Sequence, residues 1–246
     1  MQDQLEKVLF YYPYAYLPLI VVGYFGALYF LLAPLFEAAC RLLLRKNIVH
    51  PIVLKSPGER QIRSEIRHST VSILVFGIFS LPLFYLIRSG YVNLLPDTFF
   101  NVMFGLIILN LWNEVHFYII HRILHRPFFM RHFHYIHHQS RVPTVYSVYS
   151  FHWVEAILLS TVPLIIVPFV PFSPVAILLY PLSSVLLNYA GHCNYRFGSG
   201  EGGSWTRLGT HHNQHHSKGN INFGFALPYL DRMFRDRSNK KQKSQH

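Results

Sequence analysis

The sequence has few cysteines and few charges. Of 246 residues only Cys40 and Cys193 are cysteine, which excludes a disulfide framework and any thiolate zinc or iron–sulfur site built within one chain. Any metal must take other ligands. Charged residues make up 13% of the chain against 51% apolar residues, a balance that favours a protein whose solvent is lipid. Acidic residues are the scarcer sign, 11 against 22 Lys and Arg, so an anionic partner is expected. The positions of the basic residues argue for a bilayer surface and against nucleic acid, because they flank apolar runs. No internal repeat or low-complexity tract is present.

What is there instead is a series of apolar runs. Residues 14–36 carry no charge and exceed the roughly 20 residues that a helix needs to cross a bilayer core. Asp3, Glu6 and Lys7 before the run are mixed in sign and no small-residue cleavage pattern follows it, so it reads as a spanning helix and not as a cleavable signal. A second uncharged run covers 69–87, and a third, from about 98 to 120, is interrupted by Glu114 and His116. Residues 156–190 again lack charge, but Pro163, Pro168, Pro171, Pro174 and Pro181 punctuate them and predict a hairpin turning near Pro168 to Pro174. The expected fold is all-α and integral to the membrane, with about four to five transmembrane helices. Residues 1–113 hold the first helices and a basic loop, 114–236 hold the chemistry, and 237–246 read as a disordered basic tail.

Lys and Arg near the ends of spans resist translocation. Arg41, Arg45, Lys46, Lys55, Arg60, Arg63 and Arg67 lie between the first two runs, whereas the next loop has only Arg88 and the acidic Asp97. That count predicts residues 37–68 in the cytosol. Following the chain brings 121–152 and 191–246 to the same side.

Histidine is the abundant exception, 16 in all, and most lie on that predicted side. His121 and His125 are one helical turn apart in HRILH; His134, His137 and His138 follow in HYIHH, and His212, His215 and His216 in HNQHH beside His211. On a helix each set shares one face. Neutral imidazoles crowded together leave ring nitrogens unpaired and protonated ones repel, whereas a metal satisfies them at once. Imidazole suits zinc, copper, iron and nickel, but these histidines exceed one zinc site, and two adjacent redox-active iron ions fit the count. His50, His68, His116 and His246 read as hydrogen-bonded packing residues.

The order HRILH, HYIHH, apolar hairpin, His192 in GHCN and HHNQHH resembles the fatty acid hydroxylase and sterol desaturase superfamily over roughly Glu114 to Asp236. His152 and Glu155 resemble its HPxE segment, with Trp153 in place of proline. Asn213 stands where members commonly have Asp, and Phe234-Arg235-Asp236 replaces the usual FGT after a WDR-like Leu230-Asp231-Arg232.

The resemblance implies metal ligands at His121, His125, His134, His137, His138, His192, His212, His215 and His216, with His211 as a possible tenth. Glu114, Glu155 and Asp231 are candidate orienters of these imidazoles. It also implies a cytosolic helical cap holding two non-haem iron ions, which hydroxylates or desaturates a C–H bond of a sterol, fatty acyl chain or related lipid with O2. Electrons would come from a separate donor such as cytochrome b5 or ferredoxin with its reductase. The membrane would be the endoplasmic reticulum in a eukaryote and the inner membrane in a bacterium. The rival readings are a zinc-dependent membrane hydrolase and a metal transporter.

Overall fold

The computed structural model describes residues 2–197, 208–219 and 221–234; the tail at 237–246 and the last two residues of the 114–236 region lie outside them. In lipid every backbone polar group must be satisfied within its own segment, and the apolar runs are accordingly helical. After α1 (Gln2–Glu6) and a π-helical turn at Lys7–Tyr11 come α2 (Leu17–Phe30) and α3 (Leu32–Arg45). They are separated at Leu31, because Pro34 lacks an N–H and its ring crowds the Phe30 carbonyl four residues back. Pro82 acts in the same way between α4 (Glu59–Phe79) and α5 (Leu81–Arg88). α6 (Phe99–Leu124) is uninterrupted and begins on Thr98, whose side chain accepts from the Asn101 N–H.

A compact bend follows, made of α7 (Pro127–Phe129), a π-helical turn at Met130–His134 and α8 (Tyr135–His138). α9 (Trp153–Ile166) and α10 (Pro174–His192) are the arms of the expected hairpin, with the turn between them, and α11 (Leu208–Lys218) and α12 (Tyr229–Met233) follow. Two short strands, β1 (Val49–Pro51) and β2 (Tyr195–Phe197), pair antiparallel with Val49 opposite Phe197.

Among the described residues, four helical stretches are long and apolar enough to cross a membrane: Tyr14–Arg45, Glu59–Arg88, Phe99–Leu124 and Pro174–His192. The fourteen residues of α9 fall short, rising only about 21 Å against a hydrocarbon core of about 30 Å. α9 and the turn after it nevertheless carry the chain from the histidine end, where Glu155 meets His134, to the far end, where Val175 meets Asp97. Along α6, Met103, Ile107, Leu111 and Ile119 form an exposed apolar stripe, while Gly105, Leu109, Asn113 and Phe117 on the opposite side are buried. One face meets lipid and the other meets protein, and both are mainly apolar.

Small residues let the helices approach closely. Gly77 of α4 leaves no room for a Cβ, which would sit 2.5 Å from Val22 Cγ2 and 2.8 Å from the Pro18 carbonyl oxygen; a Cβ on Gly105 would lie 2.6 Å from Ala176 Cβ. An aromatic core fills the middle: Tyr29 stacks on Tyr149 at 6.0 Å and Phe76 meets Tyr149 edge-on at 5.3 Å. Tyr189 and Tyr29 hydroxyls donate to the Leu28 and Tyr146 carbonyls at 2.8 and 2.7 Å, so these two buried phenols are satisfied.

The two ends of the bundle differ. At one, the turn before α6 meets the turn before α10, with the Leu95 N–H donating to the Phe172 carbonyl and the Val175 N–H to Asp97. At the other lie the ends of α6 and α10, α8, and the β1–β2 pair that joins the basic segment to the residues after His192. The histidine groups and the basic segment thus share one end, as the charge count and the chain path predict.

Replacing Gly77 with Ala should lower the thermal midpoint in detergent, at a cost of about 1–3 kcal/mol for overpacking against an immovable carbonyl. Gly23, whose Cβ would meet nothing within 4 Å, is the control. Equal midpoints for Gly77→Ala and Gly23→Ala would refute the close approach of α2 and α4.

Candidate metal centre

The helices deliver imidazoles to one place from four directions. α6 ends at His121 and its capping residue His125, the compact bend supplies His134, His137 and His138, α10 ends on His192, and α11 carries His212, His215 and His216. They form two groups. His121, His125, His134, His138 and His215 make one, and His137, His192, His212 and His216 make the other, with the potential ligand atoms of each group all within 4.8 Å of one another. Sequence neighbours are divided between the groups, His137 from His138 and His215 from His216. The two groups therefore lie side by side, with the His138 and His216 rings 5.2 Å apart.

Hydrogen bonds at the back of the rings set the direction of the lone pairs. His121 Nδ1 donates to the Phe223 carbonyl at 2.9 Å, His215 Nδ1 to the Ile221 carbonyl at 2.6 Å, and His192 Nδ1 to the Asn188 carbonyl at 3.0 Å. His134 Nδ1 pairs with Glu155 at 2.9 Å, both groups buried. A proton committed to Nδ1 leaves Nε2 as an acceptor only. Yet Nε2 of His121 and of His134 are buried without a partner. The Nε2 atoms of His125, His138 and His215 form a triangle with sides of 3.0, 3.2 and 3.2 Å. His215 brings no proton to it.

Converging buried lone pairs of this kind fit a cation. Nitrogens about 2.1 Å from an ion lie about 3.0 Å apart at right angles and about 3.4 Å apart in a tetrahedron. The triangle matches the first, as do the His192–His212 and His212–His216 separations of 3.1 Å.

The carboxylates expected near the ligands divide into two kinds. Glu155 touches a ligand imidazole directly. Glu114 accepts from the Ala226 N–H at 2.8 Å, and Asp231 accepts from the Phe223 and Gly224 N–H groups at 2.8 and 2.9 Å. These two act at one remove, by holding the 221–227 segment whose carbonyls receive His121 and His215. The close fit of Gly224, where a Cβ would lie 2.6 Å from the Leu227 carbonyl oxygen, keeps that segment tight.

His211 belongs to neither group among the described residues. It is rotated towards the edge of the α11 face that His212, His215 and His216 share, and its carbonyl accepts from Asn222 at 3.1 Å. His116, read as a packing residue, bonds Thr161 at 2.9 Å. The carbonyls of Asn188, Ile221 and Phe223 escaped the sequence reading, since a backbone acceptor leaves no residue-type signal.

An apolar cavity of about 270 Å³ lies among α2, α4, α6, α9 and α10. Phe117, Phe151 and Phe225 line its metal-side end; Phe117 meets His121 at 4.8 Å, Phe225 meets Phe117 at 5.1 Å, and Phe151 meets His137 at 5.1 Å. At the other end it is lined by Leu5, Val8 and Leu9, held by Arg88, which donates to the Val8 and Leu9 carbonyls at 2.9 and 2.6 Å.

The family model for fatty acid hydroxylase matches residues 103–236, a span that contains all nine clustered histidines. The chain belongs to the fatty acid hydroxylase family. Among curated proteins it is 30% identical over 196 residues to rat lathosterol oxidase, covering 75% of this chain and 62% of that protein. It is 32% identical over 136 residues to a probable Delta(7)-sterol 5(6)-desaturase of Neurospora crassa, covering 51% of this chain and 37% of that protein. Human lathosterol oxidase is 29% identical over 127 residues, covering 49% and 41%. The chain thus spans less than two thirds of the length of these relatives, and no solved structure matches.

In this fatty acid hydroxylase family member the clustered imidazoles are held neutral. Burial, with neighbouring imidazoles adding to it, keeps His134, His137, His212 and His216 well below the usual histidine range; burial first also pushes His138 down to about 4 and His215 to about 3. Neutral imidazole is the form that ligates metal. Below the unfolded value of about 6.5 the unfolded chain binds protons that the folded chain refuses. Stability of the metal-free protein is therefore complete above that pH and falls as pH drops through it, by up to about 1.4 kcal/mol per unit for each such group. Chelator-stripped protein should melt progressively earlier from about pH 7 to about pH 5, and a flat profile would mean that the rings are exposed or already charged.

Proposed function

We propose that this protein is a membrane-bound oxygenase that hydroxylates or desaturates a C–H bond of a lipid, with two non-haem iron ions, O2 and external electrons. The observation that carries the reading is the division of nine imidazoles, seven buried and those of His125 and His138 half-buried, into groups of five and four, next to an apolar cavity that reaches their aromatic wall. His121, His125, His134, His138 and His215 would hold one ion and His137, His192, His212 and His216 the other, within a catalytic region at 114–236. Bound iron would supply the redox chemistry with O2 that an unactivated C–H bond requires and that no side-chain acid or nucleophile supplies.

The chain's own residues supply position and exclusion. Glu155 and the carbonyls of Asn188, Ile221 and Phe223 fix which ring nitrogen faces the ions. Glu114 and Asp231 keep the 221–227 segment over the site, and Phe117, Phe151 and Phe225 separate it from the cavity with apolar surface. The lipid would lie in that cavity with one carbon brought up to the rings, in surroundings that keep water away from a reactive centre.

Nine imidazoles are more than a zinc hydrolase uses, since catalytic zinc takes three protein ligands and an open position. Histidines gathered at helix ends, away from mid-membrane depth, also run against a metal transporter. We assign the site to the cytosolic side of a multi-pass protein, in the endoplasmic reticulum of a eukaryote or the inner membrane of a bacterium. Arg60, Arg63 and Arg67 of α4 line a recess with Gln139 and Ser140, immediately after His138. This basic rim suits an acidic electron donor such as cytochrome b5 or ferredoxin, itself served by a reductase.

Protein purified from membranes without chelators or metal-affinity resin should contain about two irons per chain by elemental analysis, with a Mössbauer signature of nitrogen-rich non-haem sites. His138→Ala and His215→Ala should each lose iron and all O2-dependent oxidation. Zinc that iron reconstitution cannot replace, in protein inert towards O2, would overturn the proposal in favour of hydrolysis.

A further inference from the structure

The two cysteines are far apart in sequence and together in space. α3 and α10 both run towards the histidine end, and Phe36 of α3 stacks on Tyr189 of α10 at 5.4 Å. One turn further on, roughly 6 Å along each axis, the same two faces carry Cys40 and Cys193. Each thiol there has the other as its side-chain hydrogen-bond partner, and both are free. Beyond them the two chains stay joined, with the Ile52 N–H donating to the Asn194 carbonyl at 2.9 Å and Pro51 opposite Tyr195. The ring stack on one side and the strand pair on the other hold the thiols in register.

The two sulfurs sit in different surroundings. Cys40 is buried in the body of α3, between helical turns on both sides. Cys193 is half-buried and caps α10, directly after His192 and before Asn194, whose φ of 60° ends the helical path. An oxidant therefore reaches Cys193 first, and its backbone is the one that can yield. His192 has little room to follow. It is buried, its Nδ1 is tied to the Asn188 carbonyl at 3.0 Å, and its Nε2 lies 3.1 Å from that of His212.

We infer that Cys40 and Cys193 close into a reversible disulfide on exposure to a peroxide, and that closure draws His192 out of line and loosens metal binding by the group of His137, His192, His212 and His216. The second half rests on reading the histidine groups as a metal centre. The Cys193 sulfur attacks the peroxide, the O–O bond breaks, and the products are a sulfenic acid and one water; the Cys40 sulfur then displaces the sulfenic oxygen, which leaves as the second water. Two thiols thus give two electrons and two hydrogens to one peroxide. Closure brings the sulfurs from contact to a bond of about 2.0 Å, and Cys193 takes up the movement. Ligand geometry tolerates displacements of only about 0.5 Å. On the side assigned above to the cytosol, thiols are kept reduced, so the bond marks an oxidative episode and is undone after it.

Mass spectrometry tests the first half on full-length, metal-free protein in nanodiscs, treated with hydrogen peroxide, quenched in acid, unfolded and alkylated with N-ethylmaleimide. Most wild-type chains should carry no maleimide and should yield a peptide pair joined through Cys40 and Cys193 that dithiothreitol separates. Sulfinic acid at Cys193 with Cys40 alkylated, or a bond between two chains, would overturn the pairing.

Cobalt(II) titration, after removal of the peroxide, tests the second half. Oxidation should weaken cobalt binding by wild type about ten- to a hundredfold, the scale of losing an outer partner of a ligating histidine, and reduction followed by removal of the reductant should restore it. Cys40→Ser and Cys40→Ala should bind cobalt as reduced wild type does, with or without peroxide treatment. A joined pair with unchanged cobalt affinity, or an equal loss in both variants, would overturn the coupling to His192. Cobalt uptake by neither form of wild type would instead defeat the metal-centre reading, on which the mass measurement does not depend.

Discussion

The structure depends on the convergence of buried nitrogen lone pairs. Nine imidazoles are packed together, seven of them buried and several with the proton already committed at the back of the ring, so the nitrogens facing inward repel or go unpaired. No arrangement of protons satisfies the triangle of His125, His138 and His215, because one corner has none to share. The fold concentrates donor atoms that are costly on their own and complementary to a cation together. The rest of the molecule serves to keep those rings from turning away.

That restraint comes mostly from the backbone. Three of the four rear contacts described above are carbonyls, from the end of α10 and from the segment after α11, and two of the carboxylates, Glu114 and Asp231, act by fixing that segment. At the membrane side the restraint comes from helices brought into contact at Gly77 and Gly105 and from satisfied phenols in the aromatic core. A carboxylate such as Glu65, buried and bonded to Gln61, Ser140 and Thr144, ties α4 to the chain just after His138. Such a network is costly to form and selective once complete.

Much of this was legible in the residues. Uncharged runs gave the spans because lipid admits so little else, the prolines at 163–181 gave the hairpin, and spacings of three and four gave shared helical faces. The partition of His137 from His138 and of His215 from His216 was not legible, because it depends on how α8 and α11 are rotated against their neighbours, which spacing leaves open. Nor was the place of His211 outside both groups, at the edge of the face that His212 shares one residue on. Glu114 and Asp231 were visible as carboxylates near the motifs, but their partners are amides far along the chain or on the next loop. The break at Leu31 and the shortness of α9 needed the structure too: the first run reads as one continuous helix, and α9 reads as a span until its length is measured.

The division of neighbouring histidines between groups makes α8 and α11 shared axles. Turning α11 to improve the aim of His215 swings His216 by the same angle, and the same holds for His137 and His138 on α8. The two groups are therefore not independent variables. An ion seated in one fixes the rotation that the other needs, so filling should be mutually reinforcing, with the half-filled protein the least populated form. A substitution confined to one group would then empty both.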